Sequence, residues 1–296
     1  MSRPPDRPPD RPPLAGVRRL SGVAPLAGSC DALLVDQFGT LHDGVRLYPG
    51  AADALRRLRD AGVSVALLSN SGKRAAPNAA RLARMGIGPE LYGPFVTSGE
   101  AGWHMLAEDR VPGAPGARRC LLLSRDGDRS VLDGTPVRAA GPEAAEVVVI
   151  AGSEGERRSL ADYAGLLGPL AARGVPALCL NPDRTMLTPE GPAFGAGRIA
   201  EAYAAMGGAV TWVGKPHPAI YAAALAALGD PAPGRVAGVG DSVEHDVAGA
   251  RAAGCPAVLL RAGLLAGADD AAVEAECAAR GAWPDALAEG FVWGRT

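Results

Sequence analysis

The chain has 296 residues, a formal net charge of −2, 48% hydrophobic residues and 21% charged residues. That composition specifies a globular protein of one large or two ordinary domains and excludes a wholly disordered chain. The near-neutral charge argues against a general nucleic-acid or anionic-membrane binder, and with no apolar run of 18 residues no transmembrane helix is expected.

The chain opens with MSRPPDRPPDRPP, a repeat of Arg-Pro-Pro-Asp with no apolar stretch. It does not read as a secretory signal, and its prolines favour extended polyproline II. Residues 1–20 are therefore expected to form a disordered Pro/Arg-rich tail. Beyond it, short apolar runs end abruptly in polar residues. Ala32–Val35 ends at Asp36. A helical pattern over Ala51–Ala61 follows, with Leu55 and Leu58 on one face. Val63–Leu68 then runs into Ser69-Asn70. Next come a helical stretch near Gly99–Leu106, strand-like runs at Cys120–Leu123 and Val147–Ile150, a helix near Glu156–Leu170 and a run at Pro176–Leu180. Val210–Val213 leads through Gly214 to Lys215, and a helix follows from Pro218. Val236–Val239 leads through Gly240 to Asp241, with a short helix from Val247 and a last run at Cys255–Leu260. An exposed Ala-rich helix is expected within Ala266–Arg280.

Buried strands alternating with helices predict a doubly wound, Rossmann-like parallel α/β sheet. The gap between Asn70 and Lys215 is too long for one crossover and carries its own strands and helices. It therefore reads as a second α/β domain over 96–208, inserted into a core of 21–95 and 209–296. The cysteines Cys30, Cys120, Cys179, Cys255 and Cys277 are odd in number and widely spaced, with no CxxC. They predict reduced, mostly buried thiols in a cytoplasmic protein and argue against zinc.

In sheets of this kind ligands bind beyond the carboxyl ends of the strands. Asp36, Ser69-Asn70, Lys215 and Asp241 all fall at such ends, so two acids, a hydroxyl, an amide and a cation are expected to meet at one mouth. Converging carboxylates repel unless a cation neutralises them. Mg²⁺ suits the task, because it takes one or two carboxylates and completes its shell with water and phosphate. Ser69, Asn70 and Lys215 can hold phosphate oxygens, and an Asp can attack phosphorus to form an aspartyl-phosphate.

These residues also match a known family. Asp36-Gln37-Phe38-Gly39-Thr40-Leu41, Ser69-Asn70-Ser71, Gly214-Lys215-Pro216 and Gly240-Asp241-Ser242 through Asp246 occur in order. With Asn181-Pro182-Asp183 and Gly195-Ala196-Gly197, the chain resembles the haloacid dehalogenase superfamily over about residues 28–262. It resembles in particular the subclass with a large α/β cap inserted between the second and third motifs, which includes nucleotide- and sugar-phosphate phosphatases. The resemblance implies that Asp36 is the nucleophile and a Mg²⁺ ligand, with the backbone carbonyl of Phe38 and with Asp241 completing the protein ligands. It implies that Ser69, Asn70 and Lys215 hold the phosphate, and that Asp246 orients Lys215 or a metal-bound water. Asp183 and Arg184 are candidates for selecting a small phosphorylated metabolite. A cap that closes over the core is a further implication, and a homodimer is compatible, since large-cap members often pair through the cap. Neither nucleic acid nor membrane is expected as a partner.

One position departs from the family. Its phosphatases carry a second Asp two residues after the nucleophile, which protonates the leaving oxygen. Here that residue is Phe38, which transfers no proton, and losing a general acid/base costs about 10²–10⁴-fold. Three readings follow: a phosphatase with another acid or an easily departing leaving group, a phosphate-binding protein with weakened catalysis, and a 2-haloacid dehalogenase. His42, Asp43, His217 and His245 are candidates for a substitute acid near these segments, although a lone His there is more often structural. The kept Asp241 and Asp246 and the large insertion weigh against the dehalogenase, which needs no Mg²⁺.

Overall fold

The structure, a computed structural model, describes residues 14–188 and 191–295. The Arg-Pro-Pro-Asp repeat within 1–13 lies outside the described residues. In chain order the strands and helices begin β1 (Arg18–Leu20), β2 (Ala32–Asp36), α1 (Ala51–Asp60), β3 (Ser64–Ser69), α2 (Ala75–Met85), β4 (Phe95–Thr97) and α3 (Ser98–Ala107). They continue with β5 (Arg119–Leu123), β6 (Arg138–Ala139), β7 (Val147–Ile150), α4 (Leu160–Ala172), β8 (Ala177–Cys179), β9 (Thr185–Thr188), β10 (Gly191–Phe194) and α5 (Ala196–Ala205). The last are β11 (Val210–Trp212), α6 (Pro218–Ala227), β12 (Val236–Gly240), α7 (Ala248–Ala252), β13 (Ala257–Leu260), α8 (Asp270–Arg280) and β14 (Ala286–Ala288). Among the described residues no helix is long and apolar enough to cross a membrane.

The chain divides into two compact units. Among the described residues, the first gathers 14–67, 85–93 and 228–295, and the second 68–84, 94–188 and 191–227. The second is thus wider than the insertion expected over 96–208, taking in the chain on both sides of it. β3 runs from the first unit into the second.

A seven-stranded sheet has the order β1-β14-β13-β12-β2-β3-β4. Every residue of β2, β12, β13 and β14 is buried, the pattern of strands covered on both faces. α1 begins after Gly50, whose φ of +85° suits glycine, and buries Ala51, Ala54, Leu55 and Leu58 on one stripe. Its outer face carries Asp53, paired with Arg56 and Arg57 one turn on.

The second unit has its own five-stranded sheet, in the order β11-β8-β7-β5-β6. Strand alternation sorts its side chains into two cores. Leu121, Leu123, Val148, Ile150, Ala177 and Cys179 face one side, where Tyr163, Leu167 and Leu170 of α4 and Ile199 and Tyr203 of α5 cover them. Cys120, Val147, Val149, Leu178 and Leu180 face the other, against Ala101 and Leu106 of α3 and the turn residues Val131 and Leu132. A reciprocal cap starts α4: the Ser159 hydroxyl accepts the Asp162 amide, and the Asp162 carboxylate accepts the Ser159 amide.

Two expectations from the sequence are corrected here. Val210–Trp212 is a strand, but it pairs with Ala177–Cys179 in the five-stranded sheet, not within the core sheet. A buried apolar run carries no label for the sheet it joins. The proposed tail over 1–20 is too long, because Arg18–Leu20 pairs in parallel with Ala286–Ala288 as an edge strand.

The start of α2 is held by α3. The Glu100 carboxylate accepts two hydrogen bonds from Arg74, each 2.7 Å, and one from the Ala75 amide at 3.0 Å. The Arg74 guanidinium also lies 3.9 Å from the ring centre of Trp103. Burial works against the Glu100 charge, yet Arg74 and the Ala75 amide outweigh it and hold its pKa below the usual 4.5. A depressed folded pKa adds stability above the unfolded value and loses it as pH falls through the folded one. Glu100→Gln is therefore expected to cost about 1–3 kcal/mol at pH 7. In urea melts the gap to the unsubstituted protein should close below pH 4.5. A gap that persists undiminished at pH 2.5 would show that shape, not charge, supplies the effect.

Candidate active site

β2 and β12 lie side by side and in parallel, with Val35 opposite Val239. That register puts Asp36, the last residue of β2, across from the end of β12, and Asp241 follows at the next step. A π-type turn over Val243–Val247 then brings back Asp246. All three acids are buried, and each offers a carboxylate oxygen within 4.8 Å of the others.

The chain around them is built for close approach. Gly39 and Gly263 have φ of +86° and +49°, and a side chain at either would run into the Asp241 carboxylate. A side chain at Gly240 would run into Asp246. The Leu264 amide donates to Asp241 Oδ2 at 2.7 Å, and the Ser242 amide donates to Asp246 Oδ2 at 3.1 Å. Burial, and then the charges of Asp241 and Asp43, push the nearby Tyr48 phenol above its ordinary pKa. Three buried carboxylates this close together form a hard, all-oxygen set that could hold a divalent cation such as Mg²⁺ or Ca²⁺.

Phe38 follows Asp36 by two residues. The residue is 45% exposed, and its ring stands edge-on to His42, with ring centres 5.9 Å apart. At Gly44, with φ of +98°, a Cβ would lie 2.9 Å from that ring. Two of the candidate substitute acids, His42 and Asp43, hold backbone amides of this loop. His42 is fully buried, and its Nδ1 accepts the Gly44 amide at 2.9 Å. Asp43 accepts the Val45 and Arg46 amides, which hold its carboxyl below the usual range. His217, in the second unit, stacks on Trp212.

The second unit brings together Ser69, Asn70, Lys215 and Asp183. Ser69 ends β3, and its hydroxyl accepts the Ser71 amide at 3.2 Å. The Asn70 carboxamide is buried, and its oxygen accepts the Lys215 amide at 2.6 Å. Its nitrogen donates to the Lys215 carbonyl at 3.2 Å and to Asp183 Oδ1 at 2.8 Å. Both amide hydrogens thus have protein acceptors, and the backbone N–H of Asn70 is a separate donor. Lys215 is buried as well. Asp183 meets Asn70, while Arg184 turns away to pair with Glu201 of α5 at 3.0 Å. No local pattern could have disclosed the Asp183–Asn70 pair, since the two residues are 113 positions apart.

A haloacid dehalogenase-like hydrolase model matches residues 33–138, and a second HAD-like hydrolase model matches residues 212–289. Chronophin from Rattus norvegicus is 31% identical over 266 residues, covering 85% of this chain and 83% of that protein. A solved haloacid dehalogenase-like hydrolase from Brucella suis 1330 aligns with a TM-score of 0.77 at 28% identity, covering 93% of this chain and 99% of the other. A glycerol phosphate phosphatase from Mycobacterium tuberculosis, solved in complex with magnesium, aligns with a TM-score of 0.63 at 27% identity, covering 79% of this chain and 69% of that one. The chain belongs to the haloacid dehalogenase-like hydrolase family.

Gly214 lets this second cluster close. A Cβ there would lie 2.7 Å from both Asn70 Oδ1 and Ser98 Oγ, and would press on the Pro182 ring. Gly214→Ala is expected to cost about 1–3 kcal/mol by overpacking, whereas Gly28→Ala, with open space around it, should stay within about 0.5 kcal/mol. Urea unfolding midpoints check both; equal midpoints for the two variants would contradict the packing argument.

Proposed function

We propose that the protein is a Mg²⁺-dependent phosphatase of a small phosphorylated metabolite, working through an aspartyl-phosphate at Asp36. The observation that carries this reading is the buried convergence of Asp36, Asp241 and Asp246 at the ends of neighbouring strands. The magnesium complex of the 27% identical glycerol phosphate phosphatase supports the choice of metal and of reaction.

An Asp36 carboxylate oxygen attacks phosphorus; the bond to the leaving oxygen breaks, and that oxygen departs with the electron pair. Water then attacks phosphorus, the bond to Asp36 breaks, and inorganic phosphate leaves. Asp36, Asp241 and the Phe38 backbone carbonyl would hold Mg²⁺, which supplies positive charge against the transferring phosphoryl group. The Lys215 ammonium, the Ser69 hydroxyl and the Asn70 backbone N–H would bind phosphoryl oxygens, and Asp246 would orient Lys215 or a metal-bound water. Five free, buried cysteines support a place in the reducing cytoplasm.

Phe38 sets the leaving groups this site accepts. With an aromatic ring at that position, the leaving oxygen gains no proton from residue 38. Turnover is then fast only for leaving groups stable as anions, such as phenolates. The same residue favours a second reading, a phosphate-binding protein with little turnover.

Release of nitrophenol from p-nitrophenyl phosphate tests the two readings. Turnover that requires both Mg²⁺ and Asp36, and disappears in Asp36→Asn, is expected. No Asp36-dependent turnover would favour the binding reading, and inorganic phosphate affinity would then be measured. Phe38→Asp is expected to raise hydrolysis of glycerol phosphate by about 10²-fold. Equal rates for Phe38→Asp and the unsubstituted protein would remove residue 38 from the proton-transfer position.

A further inference from the structure

The Asn181-Pro182-Asp183 segment is held rigidly before Asp183 reaches Asn70. The Asp183 amide donates to the Asn181 side-chain oxygen at 2.9 Å, and the Asp183 carbonyl accepts the Gly197 amide at 3.0 Å. The Gly195 amide donates to the Arg184 carbonyl at 2.8 Å. Side chains at Gly195 and Gly197 would run into the carbonyl oxygens of Asp183 and Pro182, so both glycines are needed for this approach. The loop thereby delivers one carboxylate oxygen to the Asn70 nitrogen at 2.8 Å.

The Asn70 carboxamide can lie in two orientations, related by exchange of its oxygen and nitrogen. An amide donor at Lys215 selects the oxygen, and two acceptors, the Lys215 carbonyl and the Asp183 carboxylate, select the nitrogen. All three partners are one-way, and the Asp183 carboxylate, when ionised, is the charged one, so it penalises the reversed orientation most strongly.

We propose that Asp183 is a positioning residue: through Asn70 it fixes the backbone of Lys215 and with it the origin of the Lys215 side chain. It acts on the chain that carries the cation and makes no contact with the phosphate. The consequence for catalysis rests on the phosphatase reading, whereas the structural role does not. The role differs from substrate selection, because Asp183 Oδ1 is directed at Asn70.

Hydrogen–deuterium exchange at the Lys215 amide and steady-state kinetics with p-nitrophenyl phosphate, on the full chain with Mg²⁺, test this in Asp183→Ala and Asp183→Asn. In Asp183→Ala the Lys215 amide is expected to exchange about tenfold faster. Its kcat should fall about 10–10²-fold with a smaller change in KM, since a displaced cation matters most as charge develops on the phosphoryl group. Asp183→Asn keeps an acceptor oxygen and should restore both quantities to within about threefold. Unchanged exchange in Asp183→Ala overturns the proposal. So does an Asp183→Asn variant with normal exchange and a kcat as low as that of Asp183→Ala, because the charge itself would then be acting. Should the unsubstituted chain hydrolyse no phosphate ester, the phosphatase reading fails while the exchange measurement still decides the positioning role.

Discussion

Three carboxylates buried within reach of one another repel, and the local chain geometry of the first unit answers to that constraint. Asp36 and Asp241 come together because β2 and β12 are neighbours in register, so that two strand ends present acids side by side. Asp246 joins them only because the chain folds back through one wide turn directly after Asp241. The glycines at 39, 240 and 263 remove the side chains that would keep these acids apart. Such an arrangement makes sense when a cation offsets the repulsion, which links a feature of strand order to a chemical function.

The second cluster follows a different principle. Asn70 joins three stretches of chain by hydrogen bonds from both ends of its carboxamide. A buried amide with all partners in place orders its surroundings, and one with a partner removed costs the desolvation of what remains. Gly195, Gly197 and Gly214 act here as their counterparts do around Asp241, by admitting backbone and side chains at short range. The Asn70 side chain is thus used to shape the protein, tying together segments that are far apart in the chain.

Phe38 connects the fold to the range of reactions. Its ring is braced by a buried histidine and by a glycine that leaves it room, yet almost half of its surface stays exposed. An exposed aromatic ring gains little from burial, so its value lies in what it presents to a ligand or withholds from one. A phenyl ring carries no transferable proton, which is why the proposed phosphatase reading ties the choice of leaving group to this position.

Much of this was legible in the sequence. Apolar runs of strand length at 32–35, 147–150 and 236–239 end where strands end, because burial on both faces leaves a continuous apolar signature. The acids after the first and last of these runs, and Ser69 and Lys215 at other such ends, could be named from position and chemistry alone. The short strands at 18–20, 95–97 and 286–288 carried no comparable pattern, being three residues each. What the sequence by itself determined is the alternation of strands and helices, the residue types at the strand ends and the phenylalanine two residues after Asp36, all properties of neighbouring residues. Only the tertiary structure decided that Val210–Trp212 joins the second sheet, that Asp246 turns back onto Asp36 and Asp241, and that Asp183 meets Asn70. Those are choices of partner between distant segments, made by packing and hydrogen-bond satisfaction over the whole chain, and local periodicity carries no record of them.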